Sequence, residues 1–510
     1  MSGNYFDAVV LGARIGPLVC AGLLAKRGFR VLVVAGDEAP ASYTVGAFQL
    51  PREPFTFLGA QTPIARRIFA ELGLQQSFRR RARTIDPPFG LAMPGHRFDV
   101  PADQGALERE IEREFPNVKR PIADFFRHIE EENASLDSFF GRDLPWAAHG
   151  FMERRELARA AAHLPFDKVG ENLDPLGDLP TNHPFRQAAL IPVHSASHLD
   201  CHPANALMRS RLFASWRRSP AIFDGGWAGL RGLLIDKIRA CGGEVREREK
   251  TSRVLTTRTT AKGVLLSNSD EPVGAGFVIS GRPLSRALRL FEDRRSFEHI
   301  FETHGEPRAR FYRYTLNVVL PREAVPSGLA RDTFYLRSCD NELWGDNLLR
   351  IQRTDVGSDA HRALVVEALL PRRGVEEVSG YLDGAREHII SSLSDLMPFM
   401  REACVLVDSP HDGRPPSGPD GEDLEVEEPW ARGPRSMRAI HGYPVPGTLG
   451  IGGLPQKTPV RRFLVCSEQV LPGLGEEGEL LTAWSAARFV TRADKRKERM
   501  RRGLWTKAEL

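Results

Sequence analysis

The chain has 510 residues, more than one hydrophobic core usually holds, so two or three domains or a two-lobed assembly is expected. Hydrophobic residues make up 41% and charged residues 27%, as in a soluble globular protein, and 70 basic against 66 acidic residues leave a net charge of +4 that gives no electrostatic case for nucleic acid. Six cysteines, none in a Cys-x-x-Cys pair, are too scattered for a disulfide framework; with no visible leader and no apolar run near the roughly 20 residues of a membrane span, a cytoplasmic protein is expected.

Residues 6–11 read as a buried strand, Gly12 to Gly16 as a tight turn, and 17–27 as an apolar helix stopped by Gly28. Residues 30–35 read as a second strand, which completes a parallel βαβ unit. Residues 60–220 are mixed, with charged helical stretches near 104–114 and 120–140. Residues 225–241 read as an amphipathic helix and 244–280 as a meander of short strands. Longer strands of another sheet are expected at 310–320 and 363–370, and a helix at 380–397. Residues 408–436 hold six prolines and a cluster of acids, which reads as an exposed loop. A short strand at 463–466 and three glycines, Gly473, Gly475 and Gly478, lead into a helix at 479–491. The tail, 495–502, is basic.

The first turn carries the chemistry. A glycine-rich strand-to-helix turn lets backbone approach a pyrophosphate, while the helix aims its free N–H groups and positive dipole end at the phosphates. Here Gly12 holds the first glycine position, Arg14 the second and Pro17 the third, with Gly16 as a neighbouring glycine and Ala21 as the small residue for helix–strand packing. The Arg14 side chain crowds the phosphate path, yet its guanidinium could pair with a phosphate. Ala35 stands where an acid is expected at the end of the second strand, with Asp37 and Glu38 just beyond. The turn alone leaves open a βαβ unit that packs normally and binds nothing.

Four further segments, taken with this turn, resemble the phytoene desaturase and carotenoid isomerase family of FAD-dependent oxidoreductases. They are Phe57-Leu58-Gly59 with Arg67 to Leu74; Asp224-Gly225-Gly226-Trp227 running through Gly242-Gly243-Glu244-Val245 to Ser280; Lys457 to Leu464; and Leu471-Pro472-Gly473-Leu474-Gly475-Glu476-Glu477-Gly478. Their order and spacing fit over nearly the whole chain. The resemblance implies an α/β fold: a Rossmann-like FAD domain with a parallel sheet, assembled from residues 1–75, 223–290 and 451–510. A second, α+β substrate domain on a mixed sheet would take residues 76–222 and 291–450, bordering an apolar tunnel. It further implies flavin-mediated redox chemistry or isomerisation on a polyene or other lipophilic substrate, and places Gly12, Ala13, Arg14, Gly16, Asp37, Val245, Pro472, Gly473, Gly475 and Gly478 along FAD.

The sequence departs from that family at Arg14, Pro17 and Ala35, and Ala41 to Gly46 replaces the usual Gly-Gly-Arg. Glu476, Glu477 and Glu479 open the last helix, where in the family the helix N-terminus steadies a reduced, anionic flavin. Acids there favour the helix and oppose the flavin anion. A relative that keeps the fold, has lost FAD and serves as a binding or scaffolding protein is therefore the second expectation. His194, His198 and His202 recur at four-residue spacing, but Pro192 and Pro203 bracket them, so no metal site is assigned. The basic tail suits either a solvated helix end or peripheral contact with an anionic membrane.

Overall fold

The computed structural model describes residues 4–493 apart from 147, 149, 165–175, 201–203, 219, 270, 420, 427–431 and 446. The basic tail, Cys201, His202 and part of the proline-rich stretch thus lie outside the described residues. Among those described, no helix is long and apolar enough to cross a membrane.

The first strand, β1 (Tyr5–Leu11), is followed by helix α1 (Ile15–Lys26) and strand β2 (Val31–Val34). Beyond Tyr5 and Asp7 the two strands are apolar: Val9, Val10, Leu11 and all four residues of β2 have no exposed surface. They pair in parallel, Ala8 opposite Val31 through Leu11 opposite Val34. Strand Val273–Ser280 joins β1 on its other side, followed by Phe463–Val465, while Glu244–Arg246 closes the β2 edge. The hairpin Thr251–Thr257 and Thr260–Leu266 extends the Val273–Ser280 strand antiparallel. Three distant chain segments thus build one seven-stranded sheet.

Helix α1 is apolar all round because it is buried all round, from Ile15 to Ala25. It is wedged between the sheet, the last helix (Gly475–Ala493), and the helices Pro63–Leu72 and Gly226–Ala240. The helix starts at Ile15, two residues earlier than expected, with Pro17 in its first turn. Proline is tolerated there because first-turn N–H groups have no carbonyl partner within the helix. The last helix likewise starts four residues early, at Gly475.

The second sheet has eight strands, of which the neighbours Arg308–Pro321 and His361–Pro371 are the longest. Residues alternate between its faces. Leu364, Val366, Ala368 and Leu370 meet Leu382, Ile389 and Leu393 of the helix Tyr381–Leu396. Ala363 and Val365 meet Tyr43, Val45 and Leu50 of the hairpin Ser42–Val45 and Phe48–Pro51.

One expectation requires correction. The stretch at 408–436 is not wholly exposed: Asp408, Ser409 and His411 are buried, and Asp408 is gripped by Tyr43 and Arg432. Of the three histidines, His194 lies in the helix Pro184–Ala196 and His198 just beyond its end.

Candidate functional site

The turn after β1 is closed by the chain's own groups. Gly12 has φ of +110°, a conformation that only glycine adopts readily. A Cβ at Gly12 would lie 2.7 Å from Glu38 Oε1. The Ala13 N–H donates to Glu38 Oε2 at 2.9 Å, so a donor in the turn is already taken by a carboxylate of the chain. Burial raises the pKa of Glu38, against the pull of Arg14 and of that N–H. Arg14 is the extended N-cap of α1 and offers no side-chain cap. Pro17 subtracts one more donor from the first turn, and its ring fills the space beside Gly281, where a Cβ would lie 2.4 Å from Pro17 Cγ.

Gly12, Ala13 and Arg14 therefore come together, with Glu38 as the acid that meets them. Asp37 turns away, accepting from the Thr251 N–H at 3.2 Å and pairing with Arg282. Val245 sits on the edge strand opposite Val33. Gly16 faces the end of the sheet and the last helix: its Cβ would lie 3.3 Å from Cys466 O and 3.7 Å from Glu479 Cβ.

At the other end of the expected ligand the glycines serve contact between protein segments. Pro472 O accepts from the His198 N–H, and the Gly473 N–H donates to Ile451 O, both at 3.0 Å. A Cβ on Gly475 would lie 2.2 Å from Ala196 O, and one on Gly478 2.1 Å from Leu471 O. The last helix is thus pressed against the end of the Pro184–Ala196 helix.

Its three glutamates are all engaged. Glu476 accepts from the Gly59 N–H at 3.0 Å, and burial pushes its pKa up to about 7. Glu477 takes both arms of Arg211, at 2.6 and 2.7 Å. Arg211 also reaches Asp137 at 2.8 Å. Glu479 meets His198 Nε2 at 3.1 Å. Burial opposes the charge on Glu479, but His198, Arg438 and Arg14 hold its carboxyl below the usual range. Burial keeps His198 below its usual range as well, against the pull of Glu479.

These contacts form a continuous relay. Arg14 pairs with Glu53 at 3.5 Å, Glu53 with Arg438 at 3.4 Å, Arg438 with Glu479 at 3.9 Å, and Glu479 with His198. Burial alone would raise Glu53, but the guanidiniums of Arg438 and Arg14 bring it down to about 2. Arg14, Glu53 and Arg438 keep 31%, 26% and 23% of their side-chain surface, so water reaches this part of the relay. The relay runs from the phosphate-type turn to the first turn of the last helix. In the second lobe a cavity of about 80 Å³ is lined by Leu91, Arg97, Asp99, Leu329 and Met397 among others, and by no residue of the relay.

Neither Glu53, Arg438 nor His198 stood out in the sequence as a member of this site. Glu38 did leave a trace, as an acid just past β2. Among the described residues no cluster of histidines, cysteines and acids could hold a metal ion.

No family model matches the chain, and no curated protein matches it. Solved structures do. An oxidoreductase from Methanosarcina mazei aligns over 94% of this chain and 99% of its own, with a TM-score of 0.56 at 15% identity. Wild-type putrescine oxidase bound to putrescine aligns over 96% and 99%, also at 0.56 and 15%. The PF1083 protein from Pyrococcus furiosus aligns over 95% and 97%, at 0.52 and 14%. The chain shares the fold of these structures. At such identities the likeness concerns fold alone, and it does not single out the phytoene desaturases.

Proposed function

We infer that this chain is a binding protein on the FAD-dependent oxidoreductase fold, and that it works without the flavin. One observation carries this reading: the relay Arg14–Glu53–Arg438–Glu479–His198 joins the turn after β1 to the first turn of the last helix, the two places a dinucleotide would need. A pyrophosphate would need donors of the turn, but the Ala13 N–H is given to Glu38 and Pro17 has none. A flavin ring would need the mouth of the last helix, but Glu476, Glu477 and Glu479 close it with partners from three other segments. The residues present therefore fit FAD poorly, and no chemical step is derived through it.

A second reading, FAD-dependent oxidation or isomerisation of a lipophilic substrate such as a polyene, is favoured by the fold and by the Arg14 side chain. That guanidinium is partly exposed and could meet a phosphate. Under this reading the basic tail would bring the protein to the membrane that holds such a substrate.

The visible spectrum of the purified protein separates the two. Flavin-free protein is colourless and stays so after incubation with excess FAD and desalting. Yellow protein that releases FAD on denaturation would overturn the first reading and support the second.

A further inference from the structure

We propose that the helix Phe151–Ala161 docks the protein on an anionic lipid bilayer, with Phe151 and Met152 entering the headgroup region. The inference stands apart from the question of flavin, since none of its residues belongs to the relay.

Phe151 is 77% exposed and Met152 70%, two large apolar side chains next to each other in the chain. The helix is held from its opposite side, where Leu157, Ala160 and Ala161 are buried. Residues three and four apart share a helix face. Arg155 therefore stands on the face of Phe151 and Met152, and Arg159 extends it by one more turn. Both are exposed, as is Arg154 beside them. Like charges four residues apart repel each other on a free helix, so Arg155 and Arg159 gain from an anionic surface laid across them. Of the two acids on the helix, Glu153 is paired with Lys457 at 3.2 Å, which leaves Glu156 against three arginines.

The second observation comes from the neighbouring element. Trp484 Nε1 donates to Asp143 and the Ser485 hydroxyl to Trp146 O, both at 3.0 Å, so the segment leading into this helix is fastened to the last helix. Lys457, the partner of Glu153, lies 4.7 Å from the ring centroid of Phe489, one turn before the last helix ends at Ala493. Arg492 is exposed there. The sequence that continues from this point, residues 494–502, carries six basic residues against two acids. Two separate parts of the chain thus bring positive charge to one exposed apolar pair.

Two side chains are too few for a stable protein interface, which takes about 800 Å² on each partner. They suffice for a bilayer, where a few inserted apolar groups add to the diffuse attraction between basic residues and anionic lipid.

The test is flotation of the full chain with phosphatidylcholine vesicles, either pure or containing roughly a third phosphatidylserine. The protein should float with the anionic vesicles and not with the neutral ones, and high salt should weaken binding. Phe151→Ser and Met152→Ser together should weaken it by roughly tenfold or more although the basic tail is intact. Arg155→Glu with Arg159→Glu should abolish it, whereas Phe151→Trp, which keeps an interfacial aromatic, should bind at least as well as the parent. All these side chains are exposed, so the Tm of each variant should stay near the parent's. No binding to anionic vesicles, equal binding to neutral ones, or full binding by the double Ser variant would overturn the proposal. So would a lipid-free change of oligomeric state in that variant, which would assign the apolar pair to contact with a second copy of the chain.

Discussion

Two glutamates in the site titrate in opposite senses, and their environments say why. Glu53 is held near 2 by Arg438 and Arg14, against an ordinary value of 4.5. Its depressed pKa contributes stability that is present above pH 4.5 and is lost as pH falls toward 2. Glu476 has no charged partner at hydrogen-bond distance, only backbone N–H groups, and burial lifts it to about 7. Its raised pKa contributes stability that is present below pH 4.5 and is lost as pH rises through 7. Each effect amounts to at most about 3 kcal/mol. Glu476→Gln can still accept from Gly59 but cannot ionise, so it should flatten the decline in stability between pH 4.5 and 7. Urea unfolding at several pH values measures this. A variant whose stability declines as steeply as the parent's would show that Glu476 is already ionised at pH 4.5.

At the scale of elements, the last helix is set by a glycine rather than by a cap. Gly475 has φ of +53° and ψ of −133°, and its missing Cβ leaves room for Ala196 O. Gly28 also has a positive φ, +79°, but nothing lies within 4 Å of where its Cβ would be. Gly28→Ala should therefore cost about 1 kcal/mol from backbone strain alone, and Gly475→Ala about 3 kcal/mol or more from strain plus collision. Thermal melts of the two variants compare them directly; equal losses would mean that Ala196 yields easily. The elements themselves were largely legible. β1, α1 and β2 announce themselves as unbroken apolar runs, and the long strands at Arg308–Pro321 and His361–Pro371 by length and β-branched content. The helix Pro184–Ala196 was missed because Pro192 reads as a breaker, although neighbouring segments hold the helix together around it. The site was much less legible. Glu53 and Arg438 are 385 residues apart, and His198 and Glu479 are 281 apart. No local pattern marks an ion pair across such a separation.

Across the whole molecule, the two sheets are sewn together by the segment just after β2. The Tyr43 hydroxyl meets Asp408 and accepts from Asn317 Nδ2 at 3.1 Å, and the same amide donates to Pro51 O at 3.0 Å. Thr56 donates to Asp332 at 2.8 Å, and Gln352 binds the backbone at Phe55. These contacts fix Glu53, which lies between them, opposite Arg14 and Arg438. Tyr43→Phe should cost about 1–3 kcal/mol by leaving Asp408 and Asn317 short of a partner. It should also speed hydrogen exchange in residues 42–56. Unchanged exchange there would mean that the apolar face of the hairpin suffices to hold the lobes.

The relay also bears on reversal. Arg14, Glu53, Arg438 and Glu479 alternate in charge, so on the flavin-free reading no single reversion reopens the path. Replacing Arg14 by glycine would restore the second glycine of the turn but leave Glu53 facing one guanidinium instead of two. Replacing Glu479 by a small residue would strip Arg438 and His198 of a shared acceptor. On the flavin-free reading these charges depend on one another, and reopening the path demands several changes at once.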